Sequence, residues 1–154
     1  MAVIKEWPDE DADLADLAWL IGTWQASRTD VDVKTSYEWY GNKAFIRGTI
    51  TVRQKELTLT AMQLIGKDPR TGELHIWSFG SDGEFAEGTC TRDGNAWVFE
   101  VAGVTQQGGE LSAKNILVRI NADTITWQPV NLTLGNEQVG DLPPVKITRV
   151  KGTK

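Results

Sequence analysis

Few side chains here could do chemistry, and Glu87 is the sharpest candidate. The 154 residues include one histidine, His75, and one cysteine, Cys90. That excludes an internal disulfide and any Cys/His zinc set, so a metal would need carboxylates; no metal or other cofactor is expected. Glu87 faces Phe85, Phe99 and Ile76 if its strand turns inward. A carboxylate so placed is costly to keep ionised unless it is paired, and its pKa should rise. Such a group suits a general acid or base, or an anchor for a ligand amine or hydroxyl. Alternatively Gln63, Ser78 and Tyr37 satisfy it in a polar network that only orders the interior. His75 and Cys90 fall opposite each other on the outer face, where a Cys–His nucleophile would lack an oxyanion site and a third partner; chance pairing is the simpler account.

Strands and turns must position these groups. Residues 9–21 carry Leu14, Leu17, Ala18 and Ile21 at i, i+3, i+4 and i+7, with aspartates around the first turn, which predicts one amphipathic helix. Beyond Gly22, turn signals recur at even spacing, and about ten strands fit an antiparallel up-and-down barrel plugged by that helix. Residues 131–144 read as one long loop over an opening, before a last strand at 145–150. The whole chain, 1–154, makes a single domain.

Turn chemistry sets register, and register says which side chains share a face. A two-residue turn at Gln54-Lys55 pairs Val52 with Leu57, Ile50 with Leu59 and Ile46 with Gln63, a set that must be lumenal. A turn at Gly41-Asn42 places Trp39 opposite Ala44 and Tyr37 opposite Ile46, both pointing inward. The Pro69 to Gly72 turn pairs Asp68 with Glu73, Ile65 with Ile76 and Gln63 with Ser78. Asp82-Gly83 then sets Ser78 against Glu87 and Ile76 against Thr89, so that Gln63, Ser78 and Glu87 form one polar row. A three-residue turn at Arg92-Asp93-Gly94 brings Phe99 to Glu87, with Trp97 and Val101 also lumenal. Leu111, Ala113, Asn115, Leu117 and Trp127 are placed inside and Gln128 outside. Trp39, Trp97 and Trp127 would give the lumen an aromatic wall, while Trp19 and Trp24 close one end.

The net charge of −5 and pI near 4.9, with no Lys/Arg cluster, weigh against nucleic acid or an anionic membrane as partner. Residues 1–7 hold no apolar run of a secretory signal, so a cytoplasmic location is expected. Phe45 opposite Leu64, Leu64 opposite Trp77 and Trp77 over Gly88 make an apolar row on the outer wall. A second copy, or the N-terminal segment with Val3, Ile4 and Trp7, should bury it; a homodimer is favoured.

Gly22-Thr23-Trp24, the helix before it and Arg149 in the last strand resemble the lipocalin-like (calycin) barrels, in which a first-strand Trp packs beside an Arg of the last strand. The resemblance is closest to the nitrobindin and fatty-acid-binding type. Gly66-Lys67-Asp68-Pro69, Trp77-Ser78-Phe79-Gly80-Ser81-Asp82-Gly83 and Glu87-Gly88-Thr89 also look like an uncharacterised bacterial lipocalin-like domain. Nitrobindins hold haem through a His near the C-terminal strand; Val145-Lys146-Ile147-Thr148-Arg149-Val150 has none, so the haem ligand is missing. The expected function is binding of a small, largely apolar molecule in the lumen, with Tyr37, Trp39, Gln63, Ser78, Phe85, Glu87, Trp97, Phe99, Asn115 and Trp127 as contacts. One alternative is an isomerase or cyclase with Glu87 as acid/base, and another is a filled barrel acting as an assembly module. Cavity volume separates these readings.

Overall fold

The computed structural model describes residues 13–28 and 30–151. It opens on a 3₁₀ helix, Leu14–Leu20, capped by Asp13, whose carboxylate accepts from the Leu14 amide at 2.9 Å while Asp16 returns a bond to the Asp13 amide. The buried residues are Leu14, Leu17 and Leu20, a spacing of three, because a helix of three residues per turn eclipses i and i+3. Ala18, expected inward on an α-helical period, is therefore exposed. Residues 9–12 of the expected helix lie outside the described residues.

Eleven strands follow: β1 (Gly22–Arg28), β2 (Val31–Tyr40), β3 (Phe45–Gln54), β4 (Leu57–Lys67), β5 (Leu74–Gly80), β6 (Phe85–Asp93), β7 (Ala96–Val104), β8 (Glu110–Asn121), β9 (Thr124–Leu134), β10 (Glu137–Gly140) and β11 (Val145–Arg149). Each pairs antiparallel with its neighbour from β1 to β9. β11 then bonds to both β9 and β1, closing an all-β, ten-stranded up-and-down barrel. Short β10 pairs only with the top of β9, Glu137 opposite Leu134. The expected long loop is thus mostly a hairpin, turning at Gly135 and Asn136, both with positive φ.

Two expected registers slip by two residues. The β2–β3 turn takes four residues and sets Trp39 opposite Ile46 and Tyr37 opposite Gly48, while the β3–β4 turn centres on Lys55-Glu56 and sets Val52 opposite Leu59. Side chains alternate with period two, so the lumenal faces survive both slips. The Pro69 to Gly72 turn is as read, with the Asp68 amide donating to the Glu73 carbonyl at 2.8 Å and Gln63 opposite Ser78.

The β5–β6 turn differs by one residue, and that inverts a strand. Gly80 bonds to Glu84 across Ser81-Asp82-Gly83, with Gly83 at φ +104°, a type I turn closed by a left-handed glycine rather than a two-residue turn at Asp82-Gly83. Ser78 therefore pairs with Ala86, Ile76 with Gly88, and Trp77 with Glu87. Glu87 and Phe85, expected in the lumen, lie on the outer wall; Cys90, expected outside, is inside and buried. The β6–β7 turn, two residues at Gly94-Asn95 instead of three at 92–94, shifts that register by three, so two odd shifts restore the parity and Trp97, Phe99 and Val101 face inward as expected.

The end carrying the helix is filled. Leu17, Leu20, Trp24, Ile46, Ile65, Leu74, Trp97 and Ile125 are almost wholly buried there. Arg149 fastens it: its guanidinium carbon lies 4.3 Å from the Trp24 ring centre, and its nitrogens donate to the carbonyls of Ile21, Trp19 and Ala122 at 2.8, 2.7 and 3.0 Å and to Asp123 Oδ1 at 3.2 Å. A Cβ at Gly22 would stand 2.6 Å from Arg149 Nη1, so glycine is what admits the guanidinium. Trp19 packs against both Trp24 and Trp97, with ring centres 6.3 and 5.2 Å away.

Candidate functional site: a half-empty lumen

Burial falls off along the barrel. On the inward face of β4, Ile65 is buried, Gln63 and Ala61 are half-buried, and Leu59 and Leu57 are 41% and 56% exposed. The end away from the helix is therefore an open mouth, and above the packed core lies a cavity of about 250 Å³. Ligand pockets run from roughly 300 to 1,000 Å³, and this one, just under that range, has room only for a small molecule.

Alternation on the strands supplies its walls: Val33, Thr35 and Tyr37 from β2, Ile50 and Val52 from β3, Gln63 and Ile65 from β4, with Leu20 and Trp24 below. Phe99, Asn115, Leu117, Ile125, Trp127, Ile76 and Ile147 complete them. Among the described residues none of this lining carries a charge.

Tyr37 lies across a gap made for it. Gly48 separates Tyr37 from Gln63 on one rung of β2, β3 and β4, and a Cβ there would stand 2.6 Å from Tyr37 Cε1. Burial pushes the phenol up to about 12, so it stays protonated and can donate. The Tyr37 and Thr35 hydroxyls and the Gln63 amide form no hydrogen bond with another described residue. Asn115 Oδ1 accepts from Trp127 Nε1 at 3.1 Å, which orients that amide and leaves its amino group free. Trp24 Nε1 is occupied by the Leu20 carbonyl at 2.9 Å.

Of the expected contacts, Tyr37, Gln63, Phe99, Asn115 and Trp127 meet around this cavity, and five others do not. Trp39 packs on the filled end, with the Lys43 ammonium 5.7 Å from its ring centre. Trp97 is buried between Trp19 and Arg92. Ser78 shares a rung with Gln63 but is not in the wall. Phe85 is 51% exposed on the outside, and Glu87, its side chain 63% exposed, lies 3.5 Å from His75 Nε2. The isomerase or cyclase alternative thereby loses its lumenal carboxylate. Thr35, Val33, Ile50, Val52 and Ile147 were missed as contacts, although Thr35 shares the parity of Tyr37.

The outer row also differs from expectation. Phe45 lies over Gly66, not opposite Leu64, and meets Trp77 with ring centres 6.4 Å apart; Leu64 does pair with Trp77. Gly88 faces inward, so Glu87 stands across from Trp77, whose ring is partly covered by His75 at 4.6 Å. Val3, Ile4 and Trp7 lie outside the described residues. Cys90 is buried and its thiol is pushed up to about 12 by desolvation. Among the described residues no three His, Cys, Asp or Glu side chains gather as a metal site, and no helix is long and apolar enough to cross a membrane.

No known family model matches the chain, and no curated protein matches it in sequence.

Proposed function

We propose that the protein binds one small, largely apolar molecule in the mouth half of the lumen, as a member of the lipocalin-like barrels nearest the nitrobindin and fatty-acid-binding type. The observation that carries this is a 250 Å³ space, open past Leu57 and Leu59, whose apolar wall holds polar groups without protein partners. These groups reach solvent through the mouth, so a ligand that meets them takes the place of water in an otherwise apolar wall. The ten-strand closure and the Arg149–Trp24 contact support the family assignment.

N-phenyl-1-naphthylamine, a neutral probe that brightens in apolar surroundings, tests it. It should bind the wild type with one-to-one stoichiometry. At a hundred times its Kd it should stabilise the fold by about 2.7 kcal/mol, raising Tm by roughly 5–10 °C. Ile50→Trp, which fills the wall, should abolish binding in a protein that still melts cooperatively. Binding unaffected by Ile50→Trp would place the probe elsewhere and sink the reading.

A further inference from the structure

The polar groups of the cavity are uncharged and biased toward donating. The Tyr37 phenol keeps its proton, and the Asn115 amide has its oxygen engaged by Trp127, leaving only its hydrogens. Thr35 and Gln63 can give or accept. Among the described residues no arginine, lysine or histidine lines the space to meet an anion, and no aspartate or glutamate to meet a cation.

From this we infer that the ligand is a neutral molecule carrying an oxygen acceptor, of the ketone, ester, lactone or quinone class, and that carboxylates and amines are rejected. The inference rests on the lumen-binding reading. An ionised carboxylate would leave water for a wall with no counter-charge, a desolvation that neutral hydrogen bonds do not offset. A carbonyl oxygen sheds far less hydration and accepts two hydrogen bonds, which Tyr37 and one of the neighbouring amides supply. A hydrocarbon of the same shape leaves those donors unmet. The position of Tyr37 makes it the discriminating residue, because Gly48 lets its ring lie flat on the wall instead of filling the lumen.

Three compounds of one skeleton separate the terms: 2-acetylnaphthalene, 2-naphthoate and 2-ethylnaphthalene, each titrated by calorimetry and by displacement of N-phenyl-1-naphthylamine at neutral pH. The ketone should bind about tenfold tighter than the hydrocarbon and at least about a hundredfold tighter than the carboxylate. Tyr37→Phe keeps the ring and should lower the ketone to within about twofold of the hydrocarbon, whose own affinity stays the same. If 2-naphthoate binds as tightly as the ketone, neutrality is wrong while lumen binding stands. If the ketone and hydrocarbon bind alike in the wild type, or Tyr37→Phe leaves their difference intact, the donor assignment is wrong. If no compound displaces the probe, and the probe itself does not bind, the lumen reading and this inference fall together.

Discussion

Glu87 and Tyr37 have exchanged importance at the scale of single residues. Glu87 pairs with His75 on the surface, where such a contact contributes little. Glu87→Gln should therefore leave probe affinity unchanged and shift stability by less than about 0.5 kcal/mol, measured by titration and thermal melting. Tyr37 and Cys90 are both held neutral by burial, each pushed up to about 12 from ordinary values of 10.0 and 9.0. Folded, they bind their protons more tightly than unfolded. Their contribution is complete below about pH 9 and is lost as pH rises toward 12. Melting temperature should fall through that window, and Tyr37→Phe should make the fall shallower. An equal slope in both proteins would deny that the wall desolvates the Tyr37 phenol. Native Cys90 should also resist a thiol reagent at pH 8 until the protein is unfolded.

Among elements, two close approaches between strands matter most, one that closes the barrel and one inside a hairpin. Arg149 in β11 satisfies three carbonyls at the helix end and lies over Trp24 of β1. Arg149→Ala should cost about 2–4 kcal/mol, and Arg149→Lys should recover little, since a single ammonium cannot replace a planar fork. A thermal scan of both variants checks this, and full rescue by lysine would reduce the contact to charge alone. The second contact is between β6 and β7. A Cβ at Gly88 would stand 1.7 Å from the Glu100 carbonyl oxygen, and one at Gly103 would stand 1.9 Å from that of Phe85. These obstacles are backbone and cannot swing away. Gly88→Ala should destabilise by about 1–3 kcal/mol in chemical denaturation.

The molecule as a whole divides its labour along the barrel axis. The helix end packs Leu17, Leu20, Trp24 and Trp97 into a closed core, while the far end leaves its inward leucines in solvent. Hydrogen exchange should accordingly be slowest in amides at the helix end of β3–β5. Bound N-phenyl-1-naphthylamine should add protection chiefly near the mouth, in β2–β4. Leu59→Asp alters the entrance without touching the core. It should weaken or slow probe uptake while changing Tm little, read by stopped-flow fluorescence and a melt.

Much of this arrangement was legible in the chain because it depends on local periods. Turn chemistry and alternation placed Tyr37 and Gln63 inward, and slips of two residues at the β2–β3 and β3–β4 turns could not move them, since strand faces repeat every second residue. Phe99, by contrast, faces inward as expected only because two odd register shifts on either side of β6 cancel. The resemblance of Gly22-Thr23-Trp24 and Arg149 to the lipocalin-like barrels implied the closed end, and Pro69 with Gly72 fixed a turn that the structure keeps. Glu87 failed where a local rule has two answers. An Asp-Gly pair serves a two-residue hairpin or the end of a three-residue one, and these put opposite faces of β6 toward the lumen. Tertiary structure makes the choice: with β6 turned this way Gly88 and Gly103 let β6 and β7 press together, Cys90 enters the core and the carboxylate of Glu87 stays in water. The emptiness of the mouth half was equally beyond the sequence. Composition states which side chains are available, but whether they fill a lumen depends on the barrel's radius and on how far the helix enters it, and both are set by contacts between residues far apart in the chain.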